Sequence, residues 1–300
     1  MTSDATRPVY TVNGHLFEAR RLAAGLHVVA TPLGNLADIS LRALSTLAAA
    51  DTVLCEDTRV TSRLLQRYSI STRLRPYHDH NAAQVRPAIL DRLEAGEAMA
   101  LVSDAGMPAV SDPGFKLVRE CIDRGVAVDV IPGPTAPVTA LALSGLPTDR
   151  FLYAGFLPAK QGQRIATLNE LGAVRATLIF FETGPRLAAS LGDIAKVLPY
   201  RQVAVARELT KLHQEVLRGS AQQVLDVIAD RERVKGEITL LIAPPSAAAA
   251  GTTSVDLEQM LRALLEIHPA SKAATIAARE SGQPRALLYD LAVKLKESDR

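Results

Sequence analysis

Charged side chains gather in this chain at points where apolar runs stop. LVSDAGMPAVSDPG, Leu101–Gly114, is apolar up to Ser103 and then breaks into a loop carrying Asp104 and Asp112 among Gly and Pro. CEDTR places Glu56, Asp57 and Arg59 just after the run TVLC, and HDHN places His78, Asp79, His80 and Asn81 after LRPY. ARELTK ends another apolar run with Arg207, Glu208 and Lys211. A carboxylate within hydrogen-bond reach of a hydroxyl is a general base, and neighbouring cations are holders of a carboxylate or phosphate. Each group also has a plainer reading. Asp112 before Pro113 reads as a helix N-cap, Glu56 and Asp57 as caps with a local ion pair to Arg59, whereas Asp104, directly at a strand end, reads as a ligand-binding acid.

Two further loops have the same setting. TPLGN combines Pro32, Leu33, Gly34 and Asn35, with Pro32 stiffening the turn and Gly34 permitting positive φ, and PGPTA brackets Gly133 with prolines before Pro134, Thr135 and Ala136 at a helix start. Neither matches a P-loop or a dinucleotide fingerprint. Three loops at strand ends with no phosphate signature point to a small zwitterionic or polar cofactor lying across a sheet edge. The HDHN histidines stand two apart with no further ligand motif, so the expectation is no metal and a hydrogen-bonding role toward a polar substrate.

The elements that must position these groups alternate strand and helix. Leu26–Ala30, the run ending at Glu56, LRPY, AMALVS and VAVDVI read as strands, with helices between them that include about Ala82–Ala95 and Pro113–Arg124. That rhythm implies a mostly parallel sheet covered on both faces, with ligands beyond the carboxyl ends of its strands. A second α/β domain of more mixed strand direction follows from ATLIFFE, the helix PRLAASLGDIAKVL, RQVAVARELT with HQEVLRG as its hairpin partner, and GEITLLIA. The expected division is a 1–24 tail, mobile or partly docked, domains 25–146 and 147–243, a 244–254 linker, and a 255–300 helical segment resembling a helix-turn-helix. The plainer reading of that last segment is a packing or dimerisation appendage.

Composition bounds the rest. The 34 Lys and Arg against 32 Asp and Glu leave a formal charge of +2, so an RNA role must rest on local patches. The 2 cysteines, Cys55 and Cys121, form no disulfide framework, and a reducing cytoplasmic setting is expected. Arg20 and Arg21 precede an apolar run that leads straight into Thr31, Pro32 and Gly34, which reads as a strand and not a signal, and no run is long enough to span a bilayer.

In order and spacing, ATPLGNLADISLRAL, CEDTR, HDHN, LVSDAGMPAVSDPG, IPGPTAPVTALALSGLPTDRF, GFLPAK, ARELTK and GEITLLI resemble the bacterial small-subunit (16S) rRNA ribose 2′-O-methyltransferases that act on a cytidine of the decoding region. That family is a branch of the tetrapyrrole (corrin/porphyrin) methylase superfamily. The resemblance runs over about Leu26–Ala243, more weakly into the C-terminal helices. It implies an S-adenosylmethionine-dependent enzyme with two α/β domains, the cofactor in the cleft between them, and a homodimer acting on 16S rRNA in the assembled small subunit.

Carried across by position, the cofactor loops fall on Pro32, Leu33, Gly34 and Asn35, on Ser103, Asp104, Ala105, Gly106, Met107 and Pro108, and on Gly133, Pro134, Thr135 and Ala136. Glu182 and Ala206 are the contacts implied from the second domain, with neighbours over 206–208 and 237–239. After Glu182 the family pattern Ser/Thr-His-Arg-Leu is met by Thr183, Gly184, Pro185, Arg186 and Leu187, which keeps the Arg-Leu pair without the histidine. Gln283, Pro284 and Arg285 stand where relatives have paired lysines. The base is then one of Glu56, Asp57, Asp79 or Glu208, and Arg59, His78, His80, Asn81, Arg207 and Lys211 are the substrate holders. Methylation of a tetrapyrrole or other small molecule on the same scaffold, and a non-catalytic cofactor-binding or ribosome-assembly protein, are the competing readings.

Overall fold

The computed structural model describes residues 7–229, 231, 233–245, 254–281 and 283–298, and the chain divides into two compact units, Met1–Ala136 and Pro137–Arg300. Most of the 244–254 linker, and Gly282 of the helix-turn-helix turn, lie outside the described residues.

The first unit opens with a hairpin, β1 (Val9–Val12) and β2 (His15–Glu18), where the sequence suggested a tail. Partial docking is what is observed: Tyr10 and Ala19 are buried in the core, and the Thr11 N–H donates to the Tyr68 carbonyl at 2.8 Å. Behind it β3 (Gly25–Val29), β4 (Thr52–Cys55), β5 (Leu74–Pro76), β6 (Ala98–Leu101) and β7 (Val128–Ile131) form an all-parallel sheet in the order β5-β4-β6-β3-β7. Successive residues of a strand face opposite sides, and in the three central strands β4, β6 and β3 both sides are dry. Leu26 and Val28 pack with Ile89 and Leu90 of α3 (Ala82–Glu94) and Leu117 of α4 (Phe115–Asp123). Val29 and Val53 pack with Leu44 and Leu47 of α1 (Leu41–Ala49) and Leu64 of α2 (Thr58–Arg67). Burial on both faces explains why these strands read as continuous apolar runs and why polar residues are expelled to their ends.

The second unit begins with α5 (Ala136–Ser144), whose first residue is the last of the preceding unit. Its sheet comprises β8 (Phe151–Phe156), β9 (Thr177–Thr183), β10 (Gln202–Arg207), β11 (Glu215–Ser220) and β12 (Glu237–Ile242) in the order β11-β10-β12-β9-β8. Only β8 and β9 run parallel, so the expected mixed direction is observed, as is the β10–β11 hairpin. One face carries α6 (Gln161–Leu171), α7 (Gly184–Val197) and α8 (Ala221–Ala229) over Leu178, Phe180, Val203, Val205 and Leu240.

The C-terminal helices α9 (Ser254–Leu265), α10 (Ala270–Ser281) and α11 (Arg285–Ser298) have their own small core of Leu261, Ala273, Ala277, Leu288 and Ala292. This core is tied to the second sheet by a buried ion pair. Arg201, 1% exposed, donates from Nε to Glu280 Oε2 at 3.2 Å, and its other nitrogens serve the carbonyls of Ala243 and Gly172. Breaking one partner of such a pair leaves a buried charge uncompensated, which makes α10 a fixed part of this unit.

Candidate functional site

In the first unit the loops after β3, β6 and β7 meet, because those strands are neighbours in the order β6-β3-β7. Thr31 and Gly106 exchange backbone hydrogen bonds at 2.9 and 3.0 Å, and Thr31 Oγ1 donates to the Ser103 carbonyl at 3.1 Å. Gly106 takes φ 85°, and a Cβ there would stand 3.2 Å from Leu33 Cδ2 and 3.8 Å from the Pro134 carbonyl oxygen, so one glycine touches both other loops. Gly133 is needed for close approach, since a Cβ would sit 3.0 Å from that of Ala30. Gly34 does not use its freedom; the left-handed residues of this edge are Gly106, Ala109 (φ 67°), Ser111 (φ 64°) and Gly114 (φ 133°). Asn35 caps the 3₁₀ turn Leu36–Asp38, accepting from the Ala37 N–H at 3.1 Å. Met107 packs against the core beneath, Pro108 is buried, and Pro32, Pro134, Thr135 and Ala136 complete the three loops.

The ends of β4 and β5 bring acids to the same edge. The Asp57 N–H donates to Asp104 Oδ1 at 3.1 Å, joining CEDTR to the central loop. Asp57 itself is occupied: it caps α2, accepts from the Arg59 N–H at 2.8 Å, and binds the Arg59 guanidinium at 2.6 Å. Those Arg59 bonds hold its carboxyl down to about 2. Glu56 is different. Burial raises its pKa, and Asp104 and Asp79 raise it further, with only His78 opposing. Asp104 is likewise raised, by burial first, despite the bond from Asp57. Asn81 orders HDHN by accepting from the His78 N–H at 2.9 Å and donating to the Pro76 carbonyl at 3.1 Å, and the His78 and His80 rings meet edge to face with centroids 6.0 Å apart.

Asp112 corrects the sequence reading. The helix starts at Phe115, its N-cap is Gly114, and no side chain caps it. A Cβ on Gly114 would approach Leu101 Cδ2 to 2.8 Å, so the chain passes tightly over the end of β6, and burial pushes the half-buried Asp112 carboxyl up to about 6, with Ser103 opposing and Glu56, Asp104 and Asp79 adding to the rise. Asp-Pro-Gly before a helix carries a capping signal, but the cap here is Gly114, which leaves Asp112 near the acids Glu56, Asp104 and Asp79 of this edge.

In the second unit the strand-end acids are paired. Glu208 (φ 51°) accepts from Lys211 Nζ and from the Glu237 N–H, both at 3.0 Å, and Lys211 also binds Glu237 at 3.1 Å. Burial pushes the Glu208 carboxyl up, but these bonds outweigh it and hold it below the usual range. Arg207 binds Glu215 at 3.2 Å and the Lys235 carbonyl. Glu182 and Ala206 fall on opposite faces of the sheet: Ala206 is opposite Thr239 and Thr239 opposite Phe181, one residue out of step with Glu182. Glu182 lies on the helix-covered face, 2% exposed, accepting from Ser190 Oγ at 2.6 Å and from its neighbour's N–H at 2.8 Å, with Arg186 at 3.1 Å. The family resemblance implies both beside one cofactor; the pleat gives Glu182 to the helix layer and Ala206 to the other face. Pro185 opens α7, and Arg186 spends its guanidinium on Glu182 and the Leu157 carbonyl.

The donor set fits a charged nucleoside better than a metal or a polyphosphate. Among the described residues no group of three or more His, Cys, Asp and Glu is arranged to hold a metal ion. No helix among them is long and apolar enough to cross a membrane. The loops offer backbone groups and the Asp104 carboxylate, a match for an ammonium or ribose hydroxyls.

Residues 25–225 match the tetrapyrrole (corrin/porphyrin) methylases, and residues 251–296 match the RsmI C-terminal HTH domain. The ribosomal RNA small subunit methyltransferase I of Mesorhizobium japonicum is 50% identical over 93% of this chain and 95% of that protein. The protein of that name from Escherichia coli O157:H7 is 43% identical, over 90% and 94%. Solved structures share the fold at low identity. Diphthine synthase gives a TM-score of 0.57 with 15% identity, over 73% of this chain and 89% of that one. The Thermus thermophilus uroporphyrin-III C-methyl transferase complexed with S-adenyl homocysteine gives 0.52 with 19% identity, over 72% and 96%. With glycine-dependent loops meeting at the carboxyl edge of a parallel sheet, and relatives matched over nearly their full length, the chain belongs to the tetrapyrrole (corrin/porphyrin) methylase family.

Proposed function

We propose that this S-adenosylmethionine-dependent methyltransferase modifies the ribose 2′-hydroxyl of a cytidine in the decoding region of 16S rRNA, working as a cytoplasmic homodimer on the assembled small subunit. The relatives' names support the rRNA substrate; the position and nucleotide rest on the motif resemblance. The observation that carries the chemistry is Glu56, a carboxylate raised by burial and by neighbouring acids, one residue from the Asp57 N–H that bonds Asp104 of the central loop.

When bound, S-adenosylmethionine supplies an electrophilic methyl group on a sulfonium. A ribose hydroxyl holds its proton tightly at neutral pH, so a base that takes it around the transition state lowers the barrier. Glu56 takes that role: a raised pKa makes it a stronger base than an ordinary carboxylate. Asp57 is spent on Arg59, and Glu208 on Lys211 and the Glu237 N–H, so both are weakened as bases. Asp79 stays close enough to raise Glu56 and acts through it. Asp104 and the Thr31–Asn35, Ser103–Pro108 and Gly133–Ala136 loops hold the cofactor, while His78, His80 and Asn81 face the nucleotide. Arg59, Arg207 and Lys211 keep a role toward phosphate only by exchanging their carboxylate partners for it.

The C-terminal helices add no net charge. Over Ser254–Ser298, Arg262, Lys272, Arg279, Arg285, Lys294 and Lys296 are matched by Asp256, Glu258, Glu266, Glu280, Asp290 and Glu297. A protein with little net charge gains little from phosphate neutralisation on naked RNA, which favours an assembled particle. The test is transfer of labelled methyl to unmethylated small subunits, naked 16S rRNA and uroporphyrinogen side by side. Label in the subunits, blocked by a prior 2′-O-methyl on the target cytidine, is the expected result. Equal rates on naked rRNA remove the assembled-subunit claim, label in uroporphyrinogen alone favours the small-molecule reading, and no transfer to any acceptor favours a non-catalytic role.

A further inference from the structure

Aromatic residues are scarce in this chain, with 6 Phe, 6 Tyr and no Trp, yet Phe151, Tyr153, Phe156 and Phe181 share one face of β8 and β9. The pleat accounts for part of this. Leu152 and Ala154 of β8 pack into the core under α6, α7 and α8, as do Leu178 and Phe180 of β9, so Phe151, Tyr153 and Phe181 turn to the opposite face. By simple alternation Phe156 would join the helix-covered core. It does not, because the ladder slips: Tyr153 is opposite Ile179 and Phe156 is opposite Phe181, three steps along β8 against two along β9. Gly155, at φ 68°, supplies the left-handed backbone of that bulge. A bulge on an edge strand re-aims a side chain. Here it brings the Phe156 ring edge to face with Phe181, centroids 5.5 Å apart, and Tyr153 meets the same Phe181 ring at 5.1 Å.

The Phe156 ring is held out and not tucked away. It is 53% exposed, on the edge strand of its sheet. The backbone that follows it is fixed by arginines. Arg186 donates to the Leu157 carbonyl, and Arg164 donates to those of Pro158 at 3.2 Å and Ala159 at 3.1 Å. Arg164 is buried and bound through Nε to Asp193 at 2.8 Å, and Gln161 donates to the other oxygen of that carboxylate at 2.9 Å. Three successive carbonyls of an exposed loop are therefore held by charged donors, which sets Phe156 at one end of the loop and Lys160 at the other. Between Asp149 and Glu170 the chain carries Arg150, Lys160 and Arg164 and no acid. Arg164 is spent on Asp193, whereas Lys160 is exposed and has no carboxylate partner among the described residues.

We propose that Phe156 is a stacking site for an unpaired base of the RNA acceptor, with Lys160 meeting a phosphate of the same strand. This rests on the reading of rRNA as the acceptor. Every base has a π face, so an exposed ring braced by a second ring receives a nucleotide without regard to its identity, and a lysine meets phosphate as a point charge. The cation selects RNA over a second copy of this chain as the occupant. A two-fold contact of this face with itself would bring a second lysine to the patch with no acid to meet it.

The experiment follows methyl transfer to unmethylated small subunits by the full chain and by Phe156→Ala, Phe156→Leu, Phe156→Trp and Lys160→Ala, each first shown to melt as a folded protein and sedimented to record its oligomeric state. Loss of one base–aromatic stack predicts a KM for subunits about tenfold higher in Phe156→Ala, with kcat and S-adenosylhomocysteine affinity unchanged. Phe156→Leu keeps apolar bulk without a π face and should be as weak as the alanine variant, while Phe156→Trp should stay within about threefold of wild type. Lys160→Ala should raise KM about threefold and flatten its salt dependence. Because the chain has no Trp, Phe156→Trp also places a single indole at the site, and a short oligocytidylate should quench its fluorescence. An unchanged KM in Phe156→Ala, full rescue by leucine, or no quenching overturns the proposal while leaving the methyltransferase reading intact. So does a change of oligomeric state in Phe156→Ala, which makes this face an interface between copies. No transfer by the wild type to subunits or naked rRNA overturns the rRNA reading and this inference with it.

Discussion

Two sets of acids stand at strand ends in this chain, and they are kept in opposite electrostatic states. In the first unit Glu56, Asp104 and Asp112 are all raised, by burial first; neighbouring acids add to each, Asp104 and Asp79 to Glu56, Asp57 to Asp104, and Glu56, Asp104 and Asp79 to Asp112. In the second, Glu208 and Glu215 are lowered, each bonded to a cation, Glu215 down to about 2 by Arg231 before Arg207. Acids left facing acids are available for proton chemistry. Acids matched with Lys and Arg are structural ties, and a carboxylate tied this way is a poor base. The contrast separates Glu208 of ARELTK from Glu56 of CEDTR, whose neighbour Asp57 is itself tied to Arg59 and held down to about 2.

The sharpest break in that comparison is Gly236→Ala. A Cβ there would meet Glu208 Oε1 at 2.4 Å and Cδ at 2.5 Å, at φ 94°, so the Glu208–Lys211–Glu237 tie must open. Denaturant unfolding should show a loss of about 3 kcal/mol; a loss under about 0.5 kcal/mol means the tie is dispensable. Next is Glu208→Gln, which keeps shape but removes charge from two hydrogen bonds. It should destabilise by about 1–2 kcal/mol and leave methyl transfer within a few-fold of wild type, whereas a large loss of turnover at unchanged stability returns Glu208 to catalysis.

Acid should act on the two sets with opposite sign. Glu215 is lowered in the folded state, so its contribution is complete above about 4.5 and is lost as pH falls toward about 2. Asp112 is raised from 3.8 to about 6, so its contribution is complete below about 3.8 and is lost as pH rises through about 6. Amide exchange, corrected for its intrinsic pH dependence, should show the Ser103–Gly114 loop better protected at pH 5 than at pH 7, with the β10–β11 hairpin unchanged over that interval; the opposite trend contradicts both assignments. The smallest effect is Arg59→Ala. The Arg59 side chain is 85% exposed in its ion pair, where solvent screens the attraction, so the melting temperature should not move, leaving any rise in the KM for the rRNA acceptor as the signature of a phosphate contact.

The sequence carries some levels of this architecture and not others. The parallel sheet was legible because Leu26–Val29, Thr52–Cys55 and Ala98–Leu101 are buried on both faces and so read as unbroken apolar runs. The loops holding Pro32, Asp104 and Gly133 were legible as strand-end loops, and strand order then brings them together. Pairing was not legible. Lys211 meets Glu237 across 26 positions, and Arg201 meets Glu280 across 79, distances at which no local pattern survives. Asp112 was misread for a related reason: a capping signature is local, and the tight seat of Gly114 on Leu101, which puts the cap two residues past Asp112, belongs to the folded loop. The hairpin at Val9–Glu18 was missed because its second strand is exposed throughout and lacks an apolar face, its attachment resting on Tyr10.

The central claim is that Glu56, and none of the paired acids, takes the proton. Its most direct test is single-turnover methyl transfer to unmethylated small subunits by Glu56→Gln, with S-adenosylhomocysteine affinity measured on the same preparation. The predicted result is a rate at least about 100-fold below wild type with cofactor affinity unchanged. A rate within a few-fold of wild type at saturating cofactor would contradict the account.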